Sequence, residues 1–206
     1  MMTKLDITKT NDAVDALLAV TTNPRHRFLL ETYHRHRFLE MAGRYAEIFD
    51  PAMTVANPVY HFNALGIAAT LGDATMVKGL YGMWADSHQS IFYTEGEQVA
   101  VSDNFITSIS TATQQTAGAA LIANGIEVDD PDAMYLYRSR IQMIWPFDDE
   151  CRLIGEDVWE TDPDQRTITK LDPADVVTTE MAAELLNPLI RPQPVYDPAV
   201  HGRKAA

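Results

Sequence analysis

The sequence predicts a single α+β domain whose curved antiparallel sheet packs on N-terminal helices and encloses one deep, mostly apolar pocket. Apolar residues recur at helical spacing up to about residue 88 and at strand spacing beyond it, the order of an α+β fold. A polar turn such as Asp148-Asp149-Glu150 separates later segments and reads as part of a meander. Of the 206 residues, 46% are hydrophobic, which is ample for one core and cramped for two.

Asp6 to Val20 reads as a short helix with Ala13, Val14, Leu17 and Leu18 on one side. Asn23-Pro24 starts the next, because Asn accepts from free N–H groups and Pro suits the first turn. From Arg25 to Met41 the apolar face is wide, with Phe28, Leu29, Leu30, Tyr33, Phe38, Leu39 and Met41, so much of this helix is expected to be buried. Gly43 breaks it, and Arg44 to Phe49 reads as a further short helix. Met53 to Phe62 reads as a strand that Pro58 limits to an edge or a bulge. After a loop, Asp73 caps a helix to about His88, with Met76, Val77, Leu80 and Trp84 inward.

Period-two segments follow: Ile91 to Val101 around a turn at Glu95-Gly96-Glu97, then Phe105 to Gly118, Met134 to Phe147 and Leu153 to Glu160. The expected organisation is an N-terminal helical extension over residues 1–23, a domain over 24–161 and a C-terminal extension over 162–206. That extension is expected to wrap the surface or a neighbouring subunit, with one helix near Thr179 to Leu186 and no fixed structure from His201 onward.

The net charge of −13 argues against nucleic acid, whose phosphates need clustered Lys and Arg, and against anionic membranes. A lone cysteine, Cys151, allows neither an intramolecular disulfide nor a Cys-based zinc site. Residues Met1 to Thr10 have no apolar stretch of signal-peptide type, and no run approaches the roughly 20 apolar residues of a membrane helix. A cytoplasmic protein is expected.

The run Ile48-Phe49-Asp50-Pro51-Ala52-Met53-Thr54-Val55-Ala56-Asn57-Pro58 resembles the helix-to-first-strand signature of the nuclear transport factor 2-like superfamily. Phe147-Asp148-Asp149-Glu150-Cys151-Arg152-Leu153-Ile154 resembles its last hairpin. The likeness spans roughly Pro24 to Glu160 and implies a cone-shaped α+β barrel. Within the superfamily, the chain is similar to SnoaL-like enzymes and to the scytalone-dehydratase, bile-acid-dehydratase and γ-formaldehyde-lyase branch. That resemblance implies catalysis without a cofactor or metal, with a Tyr on the first long helix and a His after the third; Tyr33 and His88 fall there. Ketosteroid isomerase has a general-base Asp where this chain has Asn57, and its oxyanion-hole Asp falls near Met143. Neither residue present can serve those roles, so that mechanism is not expected.

Tyr33 could donate to a developing oxyanion; otherwise it is a half-buried helix tyrosine. His88 follows Trp84 by one turn and could move a proton at neutral pH; its other reading is a helix C-terminal histidine favoured by the dipole. His26, His34 and His36 lie with Arg25, Arg27, Arg35 and Arg37 in a polar cluster expected to be a solvated or subunit-facing stripe, with His34 kept as a secondary catalytic candidate. No i, i+4 His pair offers a metal site. Asn57 and Tyr60 could reach the pocket rim, and Trp84 and Trp159 could stack on an aromatic substrate or simply pack in the core.

Alternation puts Arg138, Arg140 and Gln142 on one strand face and Tyr135, Tyr137, Ile141 and Met143 on the other, without saying which lines the pocket. Arg140 is either a substrate clamp or a buried partner of Glu156 or Asp157. Those two acids point to opposite faces, so at most one serves the pocket, with a raised pKa.

The expected function is a cofactor-independent lyase that eliminates water or formaldehyde from a small aromatic or polycyclic substrate, such as a lignin-derived diarylpropane in aromatic catabolism. An isomerase or polyketide-cyclase type, a non-catalytic ligand-binding or oligomerising module, and a scaffold subunit for a ring-hydroxylating oxygenase are the alternatives. A homo-oligomer, dimer or trimer, is expected.

Overall fold

The computed structural model describes residues 5–203. A single 3₁₀ turn, Ile7–Lys9, precedes α1 (Asp12–Val20) and α2 (Pro24–Met41). Asn23 caps α2 as expected, its side chain accepting from the N–H groups of Arg25 and His26. A 3₁₀ segment, Tyr45–Phe49, leads into β1 (Thr54–Ala64). A turn through Leu65 and Gly66, both at positive φ, returns the chain as β2 (Ile67–Leu71), where only a loop was expected. The segment is too short and too evenly small for its alternation to stand out. Asp73 caps α3 (Ala74–Asp86) by accepting from Met76 N–H. Its inner face is Val77, Tyr81, Trp84 and Ala85, while Met76, expected inside, is 48% exposed.

The long strands are β3 (Phe92–Val101), β4 (Phe105–Ala117), β5 (Met134–Pro146) and β6 (Leu153–Glu160), with α4 (Gly118–Ala123) between β4 and β5. Glu95-Gly96-Glu97 is not a turn. It is a bulge inside β3, where the register with β4 shifts and Gly96 takes φ +59°. Such a bulge bends the strand and re-aims its side chains. The sheet order is β2-β1-β6-β5-β4-β3. The meander β3 to β6 is antiparallel as expected, but β1 runs parallel to β6, so the sheet is mixed. Alternation within a strand fixes its faces and not its neighbour's direction. Pro58 does mark a register shift between Thr54 and Val59, as its missing N–H requires, although β1 is an interior strand.

β7 (Thr167–Lys170) pairs with the first half of β5, and β6 pairs with the second half. The tail then forms α5 (Thr179–Leu186) and α6 (Pro198–His201). His201, expected to lie in a structureless end, stacks 5.0 Å from Phe28; residues 204–206 lie outside the described residues.

The core has two parts. The larger lies between α2, α3 and the concave sheet face. The smaller sits on the other side of α2, where Phe38, Met41 and Ala42 meet Ile7, Ile91, Val177, Ala182 and Leu186. α2 is therefore covered on both sides. Its polar stripe is not solvated: Arg25, His34, His36 and Arg37 are all buried. Arg25 is satisfied by the carbonyls of Asp103, Asp148, Asp149 and His201 and by Cys151 Sγ, which ties together four separate segments.

Gly155 sits where β6 crosses the β1 bulge. A Cβ there would clash with the Val59 carbonyl oxygen, and backbone cannot yield as a flexible side chain would. Gly155→Ala is expected to cost about 3 kcal/mol or more through this clash, read as a lower urea midpoint with an unchanged slope.

Candidate active site

The concave side of the sheet and the helices above it enclose a cavity of about 90 Å³. The odd positions of β5 face it: Tyr137, Ser139, Ile141, Met143 and Trp145 line the wall, while Arg138 and Arg140 are exposed on the convex side. β1 contributes Tyr60, Phe62 and Ala64; α3 contributes Val77, Leu80, Tyr81 and Trp84; β6 contributes Glu156 and Val158. Arg37 and Glu40, one turn apart on α2, complete the polar part.

Arg37 is held by charge and hydrogen bonds. Its Nη1 donates to Glu97 Oε2 at 2.9 Å and its Nη2 to Thr94 Oγ1 at 3.1 Å. Both ionic side chains are almost completely buried, 4% and 3% exposed. The guanidinium also lies over the rings of Tyr33 and Phe92, at 5.1 and 5.6 Å. The β3 bulge turns Glu97 inward to make this pair.

Deeper in, Tyr81 Oη donates to Glu156 Oε2 at 3.4 Å and lies 3.2 Å from His36 Nε2. Burial pushes the His36 imidazole down to about 3, so it is uncharged at neutral pH. Burial likewise pushes Glu156 well above the ordinary carboxylate range, helped by the nearby Glu40. Glu40 itself is raised to about 8 by desolvation, against the pull of Arg37. Tyr60 and Tyr81 are raised for the same reason, which keeps both phenols protonated. Tyr60 Oη is buried with no hydrogen-bond partner. The site thus combines two carboxyl groups poised to carry protons, two neutral phenols and an apolar surround.

The residues singled out from sequence divide sharply. Tyr60, Trp84 and Glu156 line the cavity. Tyr33 is buried beside it rather than in its wall, donating to Glu97 Oε1 at 3.3 Å and lying 3.5 Å from Ser108 Oγ, edge-on to Trp145. Burial raises its phenol pKa, with Arg37 opposing. His34 is buried on another face of α2, 3.7 Å from Asp15, and burial lowers it to about 4.

His88 does not share the Trp84 face. α3 ends at Asp86 and His88 takes φ +59°, which turns its ring to α5, where Nδ1 accepts from Thr179 N–H at 3.1 Å. Asn57 is exposed on β1, and Trp159 is 56% exposed on the convex face. Arg140 is exposed as well and pairs with neither acid; Asp157 pairs with His61 at 2.6 Å on that same outer face. Glu156 is the acid that serves the cavity.

Sequence reading missed Glu40, Arg37 and Tyr81 as cavity residues, and His36 as the imidazole behind Tyr81. Glu40 stands three residues after Arg37, a spacing that put them on one helix face, but nothing local said that the face would be covered. Among the described residues no helix is long and apolar enough to cross a membrane, and no group of three His, Cys, Asp or Glu could hold a metal ion.

No protein-family model matches the chain, and no curated protein does. Solved structures similar to it include Bal32a from a soil-derived mobile gene cassette, at 15% identity and TM-score 0.47 over 67% of this chain and 92% of that one. A protein assigned as a SnoaL-like polyketide cyclase from Jannaschia sp. CCS1 matches at 11% identity and TM-score 0.48, over 68% and 89%. An NTF2-like protein from Anabaena variabilis matches at 9% identity and TM-score 0.42, over 78% and 95%. Two of the three carry names from the superfamily that the sequence resembles. None of these three reaches a TM-score of 0.5, and the α+β architecture rests on the strand order and helix placement described above.

Two outcomes follow from the buried charges. Arg37→Met strands Glu97 without its cation and is expected to cost about 3–5 kcal/mol in urea unfolding. Glu40, raised to about 8 in the folded chain from an ordinary value near 4.5, adds stability that is fully present below about pH 4.5 and lost as pH rises through about 8. Glu40→Gln is expected to flatten that decline by on the order of 2 kcal/mol, measured as unfolding midpoints across the same window.

Proposed function

We propose that the protein is a cofactor-independent enzyme that acts on a small organic molecule by acid–base chemistry, and that its reaction is an elimination. The observation that carries this reading is the pair of carboxyl groups, Glu40 and Glu156, in the wall of one mostly apolar cavity. An elimination needs a base and an acid at once. Glu40, the less buried of the two and free of any hydrogen bond from a described donor, takes a proton from the carbon next to an electron-withdrawing group. The electron pair forms the new double bond, the bond to the leaving oxygen breaks, and Glu156 gives its proton to that oxygen, which departs as water. A proton passing from Glu40 to Glu156 restores the starting state. Tyr60 and Tyr81, neutral donors, favour the oxyanion that develops.

An isomerase or cyclase would use the same base without a leaving group; the second carboxyl favours elimination over these. The candidate roles of Tyr33 and His88 become indirect here, because Tyr33 holds Glu97 and His88 holds α5. The cavity is smaller than the roughly 150 Å³ that takes up benzene, so a compact substrate suits it, and a diarylpropane would have to open it. The exposed Trp159 and Ile144 on the convex face support the expected self-association.

The test is incubation with a panel of small β-hydroxy carbonyl compounds and a diarylpropane, with products weighed by mass spectrometry. Loss of water or formaldehyde supports a lyase, and a product of unchanged mass supports an isomerase. With a turned-over substrate, kcat/KM is expected to rise tenfold per pH unit below about 8, where Glu40 ionises. Glu40→Gln and Glu156→Gln are each expected to lower kcat by roughly 10²-fold or more. Full activity in both variants would remove the dyad from the mechanism.

A further inference from the structure

We propose that the cavity takes a small organic cation, a protonated amine, held between Glu40, Glu156 and the aromatic wall. The inference rests on the cavity being the substrate site and names the chemical class of its occupant.

The charges around the cavity do not balance. Among the described residues that line it, Arg37 is the one cation, and its guanidinium is committed to Glu97 and Thr94. Three carboxyl groups therefore stand near one guanidinium. Glu156 is 7% exposed, and Oε2 accepts only from Tyr81; its other oxygen has no donor among the described residues. Glu40 has no hydrogen bond from any described side chain or backbone group, although its side chain lines the space. His36, behind Tyr81, is uncharged and supplies no positive charge. Asp157, next to Glu156 in sequence, adds a further negative charge on the opposite face of β6. A carboxyl pair left without a cation inside an apolar wall is the complement of an ammonium group.

The wall supplies the second half of the recognition. Tyr60 and Tyr81 lie 6.2 Å apart between ring centroids, Tyr81 and Trp84 6.3 Å, and Phe62 and Trp84 5.5 Å. These rings form a continuous aromatic lining beside the carboxyls, and aromatic faces attract cations that have lost their water. An anion would meet the same carboxyls as repulsion. A neutral alcohol would fill the space without answering the charge. The chain's net charge of −13 acts in the same direction at long range, since an acidic surface raises the local concentration of cations.

The binding is coupled to protons. With no ligand, burial holds the carboxyls largely protonated, and Glu40 adds to this at Glu156. An ammonium ion that enters must displace a proton from the pair, so affinity rises with pH until one carboxyl is ionised in the free protein. The groups facing the pair are Arg37 and His36 from α2, Glu97 from β3, Tyr60 from β1 and Tyr81 from α3, while Asp157 acts from the opposite face of β6. Of these, His36 and the two phenols stay neutral through this range, so the carboxyls carry the pH dependence.

The experiment compares three probes of similar shape on the full chain: isobutylamine, isobutanol and isovalerate. The indole N–H signals of Trp84 and Trp145, both in the cavity wall, report occupancy by NMR at about pH 6 and pH 8. At the higher pH, isobutylamine is expected to bind at least tenfold tighter than isobutanol, with isovalerate weakest. Its own affinity is expected to fall about fiftyfold at the lower pH, as the ionised fraction of a carboxyl titrating near 8 drops. Glu156→Gln and Glu40→Gln, which keep shape and remove charge, are each expected to reduce the amine preference severalfold.

Equal or tighter binding of the alcohol, preference for isovalerate, or an amine affinity independent of pH would overturn the cation assignment while leaving the cavity as a small-molecule site. If none of the three moves either indole signal, the cavity is not a ligand site, and the enzymatic reading falls with the assignment.

Discussion

The Arg37–Glu97 ion pair is the contact on which the rest of the arrangement depends. It joins the C-terminal part of α2 to the bulge of β3, and neither partner has water to fall back on. Two charges taken out of water are tolerated only when geometry is good and the remaining donors and acceptors are met. Thr94 accepts from the guanidinium and Tyr33 donates to the second carboxylate oxygen, which brings the pair closer to those conditions. The pair fixes how α2 lies across the sheet, and that in turn fixes where Glu40 and His36 stand.

That anchoring explains why the cavity has its chemistry. A helix lying across a concave sheet leaves space only where side chains of the two layers do not interdigitate. Here the space falls between Glu40 on α2, Tyr81 on α3 and Glu156 on β6. Because the surround is mostly apolar, carboxyls there hold their protons and the imidazole gives its proton up. The outer sheet face shows the opposite regime: His61 and Asp157 pair in the open, both substantially exposed, next to Trp159.

The sequence made the helices, their caps and the long strands readable because these are set by near neighbours. Asn23 and Asp73 each accept from the first turn of the helix they precede. Alternation on β5 correctly separated Arg138 and Arg140 from Tyr137 and Ile141. The site was readable only in part, and the failures have one cause. His88 was placed on the Trp84 face by extending helical geometry two residues past the end of α3, where the backbone turns left-handed. Arg140 was offered a buried acid because both lie on central strands, although the acid that enters the cavity leaves by the other face.

By itself the sequence determined the α+β class, the order of the main helices and long strands, the two faces of each long strand and the choice of Glu156 or Asp157 as alternatives for one cavity. These depend on spacing along the chain, where a period of 3.6 or 2 assigns a residue to a face. The tertiary structure alone decided that α2 is covered on both sides, that β1 lies parallel beside β6, and that Glu40 and Tyr81 meet Glu156. Those are meetings between residues far apart in the chain, 116 positions for Glu40 and Glu156 (156 − 40) and more for α2 and α5. Burial on both sides of a helix depends on what packs against it, and a one-dimensional pattern carries no record of its partner.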